Sequence, residues 1–154
     1  MGLSDYYVGC DLGGTKILSV IYDADFEPIG RARKKTKGHE GQEFGLKRIG
    51  DTIEEAMDDA GIATSKPGSI GIGCPGPLDL NRGIIREAPN LGWVDAPVKS
   101  SLEARFSCPV TVANDVDLGV YGEYRFGAGQ GYRCVVGLFP CLLYTSPSPR
   151  DRYI

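Results

Sequence analysis

Alternating apolar and polar positions near the start of the chain predict a meander of three antiparallel strands. Residues 6–10 form a β-prone run, and the alternation resumes over residues 17–22. A third strand is expected over residues 28–34. Gly13 and Gly14 should therefore lie in the hairpin turn that joins the first two strands.

Helical periodicity follows the meander. Apolar residues recur at helical spacing until Gly61 provides a stop signal: Leu46, Ile49, Ile53, Ala56, Met57 and Ala60. Residues 69–74 predict a buried strand that enters a Pro-Gly-Pro turn. Residues 79–93 are predicted to be mostly loop, because Gly, Asn and Pro interrupt them.

The second half of the chain alternates between helix and strand. A helix is expected around Leu102 with Asp95 as its N-cap, and a strand over residues 109–113. A further helix should follow and stop in the glycine-rich residues 127–131, since Val116, Val120 and Tyr124 form a helical stripe. Residues 133–140 predict one more apolar strand.

Composition is that of a globular protein, since 42% of the 154 residues are hydrophobic and 24% are charged. A formal net charge of -3 gives no broad basic field, and no stretch has the length of a membrane span. We therefore expect a soluble, cytoplasmic protein that binds neither nucleic acid nor membrane. The basic run at residues 31–37 is typical of a solvated strand edge. The five cysteines are scattered singly, which predicts reduced, buried thiols.

Residues 141–154 lose all periodicity. Their sequence resembles one reading frame of a transposase adapter used in sequencing libraries. We expect this tail to be non-native and to contribute nothing to the fold. The alternative is a flexible tail rich in Ser and Pro.

The glycine turn is a candidate phosphate site. Gly13 and Gly14 leave backbone N–H groups unscreened by side chains, and Thr15 and Lys16 add a hydroxyl and a positive charge. Asp11 is placed to hold a Mg²⁺-bound water, because Mg²⁺ keeps waters and uses few carboxylates. The alternative is a plain β-turn in which Asp11 bonds its own backbone.

Asn114 and Asp115 lie between a strand and a helix, where open α/β sheets place their ligands. Asp115 is either the N-cap of that helix or a general base that accepts the proton of a substrate hydroxyl, with Asn114 holding the sugar. Asp117 is expected to be a solvated acid of the first helical turn. Asn90 and Trp93 could wall a polyol pocket, although a Trp in a loop more often pins the loop.

Competing nucleotide motifs are excluded. Residues 71–76 satisfy G-x-G-x-x-G, but Pro75 and Pro77 block the helix that a dinucleotide fingerprint must open. No Walker-type G-x-x-x-x-G-K-[ST] string occurs. His39 is expected to be loop surface.

Four segments, taken in order, resemble the ROK family of sugar kinases and sugar-responsive repressors: residues 11–16, 73–79, 90–93 and 113–117. The resemblance implies an α/β fold, the N-terminal domain of an actin-like (ribonuclease H-like) ATPase, with a mixed sheet that begins as a meander flanked by helices. It implies ATP and Mg²⁺ as cofactors and a glucose-like hexose as substrate. By the same likeness, Gly13, Gly14, Thr15 and Lys16 would face the phosphates, Asp11 the metal, and Gly76, Pro77, Asn90, Asn114 and Asp115 the sugar, with Asp115 as catalytic base.

The resemblance also implies an incomplete enzyme. Residues 1–130 would form the N-terminal domain, and residues 131–140 the first strand of a second domain that is cut off before its phosphate loop. Any structural zinc would belong to the missing half, and the full-length parent would be a homo-oligomer. We expect the fragment itself to be inactive, because half a cleft cannot position both reactants.

Two other functions remain open. A repressor of the same family would carry a helix-turn-helix before this fold, and only five residues precede the first predicted strand. An actin-like or chaperone-type ATPase would bind ATP without a hexose, which the segments around Asn90 and Asp115 argue against.

Overall fold

The predicted meander opens a mixed α/β structure. The structure is a computed structural model that describes residues 6–137. Its strands are β1 (Tyr6–Leu12), β2 (Lys16–Asp23), β3 (Pro28–Lys35), β4 (Ser69–Cys74), β5 (Leu78–Asp79), β6 (Ile84–Ala88), β7 (Trp93–Ala96) and β8 (Val110–Asn114). Its α-helices are α1 (Gln42–Asp59), α2 (Val98–Phe106) and α3 (Asp115–Phe126), and a 3₁₀ turn spans Gly38–Glu40.

Five strands form the main sheet in the order β3-β2-β1-β4-β8. The first three are antiparallel neighbours, whereas β1, β4 and β8 run parallel. The mixed sheet and its initial meander are therefore confirmed. Since the parallel strands share a direction, the residues that follow β1, β4 and β8 lie along one edge of the sheet.

One face of this sheet packs against α1 and α2. The stripe of α1 is buried as its periodicity predicts, at Ile49, Ile53, Ala56 and Met57. Facing residues of the sheet are buried too, including Leu12, Ile17, Ile21, Ile70 and Ile72. These residues form one contiguous apolar core.

The stretch predicted as loop contains a second, three-stranded sheet in the order β5-β6-β7. The loop prediction for residues 79–93 is therefore wrong over β6. Asp95 does not cap α2 either: Pro97 holds the N-cap position, and no side chain caps it. Asp95 lies in β7, where its carboxylate accepts a 2.8 Å hydrogen bond from Arg86.

The described residues fall into two compact units, 6–115 and 116–137. In the second unit, the α3 residues are exposed or half-buried, and no strand forms over residues 133–137. The rest of the strand predicted up to Pro140 lies outside the described residues, as does the 141–154 tail. No described helix is long and apolar enough to cross a membrane.

The thiols follow the prediction in part. Cys10, Cys74 and Cys108 are free and buried, whereas Cys134 is exposed, which corrects the expectation for that residue. Burial raises the pKa of Cys10 to about 12, so this thiol is inert at neutral pH. Cys141 lies outside the described residues.

Candidate functional site

The glycine turn is a tight connection closed by its own backbone. The Gly13 N–H donates a 2.9 Å hydrogen bond to the Lys16 carbonyl. Gly14, Thr15 and Lys16 are solvent-exposed, so the turn is accessible to a ligand. The hairpin predicted from the sequence is confirmed.

Thr36 fixes this turn from the end of β3. Its hydroxyl donates a 2.7 Å hydrogen bond to the Gly13 carbonyl, and its N–H donates to the Thr15 carbonyl at 2.9 Å. The Thr36 side chain is fully buried. Sequence reasoning missed this residue, because a lone Thr after a basic strand carries no recognisable signal; only the strand register brings it to the turn.

Asp11 and Asp115 lie at the same edge of the main sheet. Register aligns Asp11 of β1 with Gly73 of β4, and Gly73 with Ala113 of β8, so Asp11 and Ala113 are about 10 Å apart, two strand spacings. Asn114 ends β8 and Asp115 begins α3. The predicted placement of Asn114 and Asp115 between a strand and a helix is confirmed.

The two carboxylates interact electrostatically. Partial burial raises the pKa of Asp11, and the negative charge of Asp115 raises it further. Two acids that repel each other beside a turn suited to phosphate form a site in which a cation would relieve the repulsion.

The loop that contains Asn90 lies against the glycine turn. A side chain at Gly14 would place its Cβ 3.7 Å from the Asn90 Cβ. Asn90 is exposed, and the next residue, Leu91, is buried against Gly38. The structure thus brings a predicted sugar residue next to a predicted phosphate residue.

Gly76 and Pro77 follow the end of β4. Gly76 has φ +83°, and a Cβ there would lie 2.1 Å from the Glu87 carbonyl oxygen, so this turn requires glycine. The Pro77 carbonyl accepts a 2.9 Å hydrogen bond from the Arg86 N–H. These contacts secure the turn against the small sheet.

Trp93 does not wall an open pocket. It is only 1% exposed and packs against Gly45 of α1, where a Cβ would overlap the indole ring. Its role is to pin the loop, which was the alternative for this residue. His39 is exposed, as expected.

Residues 6–137 contain no group of three or more His, Cys, Asp or Glu that could hold a metal alone. A site with one or two carboxylates suits Mg²⁺, which takes its remaining ligands from water and phosphate oxygens. Asp11 and Asp115 offer such hard oxygen donors. The residues present therefore fit a phosphate-bound Mg²⁺.

Comparison with known proteins finds both sugar kinases and sugar-responsive repressors among the relatives of this chain. A glucokinase from Streptomyces coelicolor is 33% identical over 136 residues, which cover 88% of this chain and 40% of that protein. A xylose repressor from Caldicellulosiruptor bescii is 32% identical over 120 residues, 78% of this chain and 30% of that protein. The chain therefore spans at most about two fifths of the length of these curated relatives.

The fold matches solved structures over the same region. A ROK family glucokinase from Streptomyces griseus, in complex with glucose and AMPPNP, superimposes with a TM-score of 0.71 at 32% identity. The match covers 82% of this chain and 38% of that one. The fold is that of the actin-like ATPases, as the motifs predicted. Since the ROK family model matches residues 7–139, the chain belongs to the ROK family.

Proposed function

We propose that this chain supplies the nucleotide-phosphate and sugar-binding elements of an ATP-dependent hexose kinase. The observation that carries the proposal is the arrangement at one sheet edge. There Asp11, near the end of β1, lies close enough to Asp115 for the two charges to interact, and Asn90 lies against the glycine turn. Similarity to a glucokinase solved with glucose and AMPPNP supports both ligands.

In the proposed reaction, the Gly13–Lys16 turn binds the ATP phosphates through its backbone N–H groups and the Lys16 ammonium. Asn90 and Asn114 hydrogen-bond the sugar, and the turn at Gly76 and Pro77 shapes the pocket beside them. Asp115 accepts the proton of the sugar hydroxyl. As it does so, the hydroxyl oxygen forms a bond to the γ-phosphorus, and the bond between the γ-phosphorus and ADP breaks.

Asp11 would hold Mg²⁺, directly or through a bound water. When bound, this ion neutralises charge on the transferring phosphoryl group. Asp11 does not accept the substrate proton in this scheme, because it is assigned to hold the metal ion. The division between a metal-holding Asp11 and a proton-accepting Asp115 is the testable content of the proposal.

Glucose or a close relative is the proposed substrate, since several relatives are named glucokinases. The domain boundary at residue 130, the cytoplasmic location and the homo-oligomeric parent stay predictions. The repressor function is the second candidate, because xylose repressors are similar to the same part of the chain.

Asp115→Asn in the full-length parent tests the proposal. The variant should lose about 10²- to 10⁴-fold in kcat, while its Kd for glucose changes little, because the amide still hydrogen-bonds but cannot accept a proton. A coupled ADP-release assay and glucose titration calorimetry measure the two quantities.

Asp117→Asn is the matched control, since it removes the same charge two residues further along the chain. It should keep kcat within about threefold of wild type, because its carboxylate is not assigned to the reaction. A wild-type parent that binds glucose but transfers no phosphate would instead support the repressor function. Equal kcat in the Asp115→Asn variant and the wild type would exclude Asp115 as the base.

A further inference from the structure

Two buried glycines lie within α1, although glycine is a poor helix residue. Gly45 and Gly50 each face a side chain from another element. A Cβ at Gly50 would meet the guanidinium of Arg105, whereas a Cβ at Gly45 would overlap the indole ring of Trp93. The Arg105 side chain is flexible, but Trp93 is a rigid, buried ring. Gly45 therefore leaves a space for the indole ring, the Trp93 seat, that any other residue would fill.

Packing sets the position of the ring in the Trp93 seat. The indole Nε1–H is buried and donates to no acceptor of the chain within residues 6–137. A buried Trp usually donates this hydrogen, so the fit of the ring against Gly45 matters more here than a polar contact. Because protein interiors are close-packed, an added methyl group at Gly45 would force the ring to shift.

A tight loop, residues 89–92, connects β6 to β7 and carries Asn90. The N–H groups of Leu91 and Gly92 both donate 2.9 Å hydrogen bonds to the Ala88 carbonyl, so these bonds give the loop its shape. Asn90 is exposed, whereas Leu91 and Trp93 are buried. The two buried side chains therefore attach the loop to the rest of the fold and decide where Asn90 lies.

Both of these side chains pack on glycines. Leu91 packs on Gly38, where a Cβ would lie 2.9 Å from the Leu91 Cα, and Trp93 packs on Gly45. Thr36, just before Gly38, hydrogen-bonds the glycine turn. One segment of chain, from the end of β3 into α1, thus supports both the turn and the loop.

We propose that Gly45 is a positioning residue for the sugar, because it seats Trp93 and thereby holds Asn90 beside the glycine turn. The inference rests on the proposed function, in which Asn90 hydrogen-bonds the hexose. Hydrogen bonds weaken steeply away from good geometry, so a small shift of the loop should weaken sugar binding. The alternative is that Gly45 serves only the packing of α1.

The Trp93 seat is tested first in the 154-residue chain, which contains a single Trp. Gly45→Ala should increase acrylamide quenching of the Trp93 fluorescence at least about twofold, because the displaced ring is less tightly packed. Gly50→Ala is the matched control, since it adds the same methyl group to the same helix but meets Arg105. Its quenching should equal that of the wild type. Equal quenching in Gly45→Ala and the wild type would overturn the proposal.

Sugar binding is then measured by calorimetry in the full-length parent. Gly45→Ala should raise the Kd for glucose at least about tenfold, while the Kd for ATP stays within about threefold of wild type. ATP binding is spared because Thr36 still holds the glycine turn. Gly50→Ala should leave both Kd values within about twofold of wild type. Equal losses of glucose affinity in the two alanine variants would show general destabilisation and contradict a positioning role.

Trp93→Phe supplies a rescue, because a phenyl ring lacks the outer indole atoms that the new methyl group would overlap. In this background, adding Gly45→Ala should weaken glucose binding less than about threefold further. If Gly45→Ala does not fold, as judged by circular dichroism, Trp93→Phe alone tests the proposal. An underfilled seat should raise the glucose Kd at least about threefold, and unchanged affinity would overturn the positioning role. A wild-type parent that binds no glucose would instead refute the proposed function, while the quenching comparison still decides whether Gly45 seats Trp93.

Discussion

Asp11 has the clearest conflict between stability and proposed function at the residue scale. Its pKa is raised above 3.8 by partial burial and then by the charge of Asp115. A carboxylate with a raised pKa binds its proton more tightly in the folded chain than in the unfolded chain, so ionised Asp11 destabilises the fold. Binding of a cation would offset this cost.

Asp11→Asn should therefore raise the Tm of the chain at neutral pH. The gain should be absent below the ordinary Asp pKa, where Asp11 is protonated in both states, and should grow as pH rises through the raised pKa. Thermal melts between about pH 3 and pH 8 measure it. Asp25→Asn, in an exposed turn, is the control and should show a smaller change; a lower Tm for Asp11→Asn at pH 7 would contradict the argument.

Thr36 is a second single residue that supports the proposed site, because its hydroxyl joins the end of β3 to the glycine turn. Thr36→Val keeps the side-chain volume but removes the hydrogen bond, which should cost about 1 kcal/mol in urea unfolding. The loosened turn should also weaken ATP binding by the parent about fivefold, the equivalent of that energy.

Thr52→Val provides the comparison. Thr52 is also buried, and its hydroxyl donates to the Arg48 carbonyl at 2.8 Å within α1, away from the turn. We expect a similar loss of stability with ATP affinity unchanged. If both variants weaken ATP binding equally, general destabilisation explains the effect and Thr36 has no specific role.

At the scale of elements, the sequence predicts the helices and strands whose apolar residues repeat regularly over a long stretch. The eighteen residues of α1 repeat their apolar stripe over several turns, and the strands of the meander alternate over seven or eight residues. β5 and β7 have only two and four residues, too few to show a period. Their partners are set by pairing across turns, which a local pattern does not contain.

Asp95 shows how tertiary pairing overrides a local signal. Its position before α2 is typical of an N-cap, yet Arg86 holds its carboxylate in an ion pair at 2.8 Å. Asp79 contacts the same guanidinium at 3.1 Å, so Arg86 links β5 and β7 across β6. The competing partner lies nine residues away in the sequence and could not be identified from spacing.

Arg105 joins the two helices on the sheet. Its guanidinium donates to both Glu54 carboxylate oxygens at 2.8 and 2.7 Å, to Asp51 at 2.7 Å and to the Lys47 carbonyl at 2.9 Å. Arg105→Ala should cost about 1–2 kcal/mol, more than an ordinary surface pair, because the fork is bidentate and partly shielded. The measurement is the urea midpoint at low and high salt.

Lys99→Ala is the contrasting variant within α2. Lys99 meets Glu103 at 4.0 Å, and both side chains are partly exposed, so its removal should cost no more than about 0.5 kcal/mol. Arg105→Lys should lie between the two, since an ammonium cannot reproduce the fork. Equal costs for the two alanine variants would show that the Arg105 network contributes nothing beyond a surface pair.

At the scale of the whole molecule, the sequence predicted the family, because four short segments fall in the family's order. Each segment alone has an ordinary structural explanation. Thr36 and the close approach of Asn90 to Gly14 could not be predicted, since both depend on register and loop packing rather than residue type.

The curated relatives are much longer than this chain. This chain covers 40% of the glucokinase it resembles, so we propose that further protein is needed to close the site around both reactants. Precise positioning of two reactants is worth about 10⁵-fold or more in rate, and the 154-residue chain should lack that factor. With glucose, ATP and Mg²⁺, a coupled assay of the 154-residue chain should detect no turnover above background. The source gene should be sequenced beyond codon 140, and the longer protein that it encodes should be an active kinase in the same assay. Turnover by the 154-residue chain at a rate similar to the parent's would show that residues 6–137 complete the site by themselves, or through a second copy.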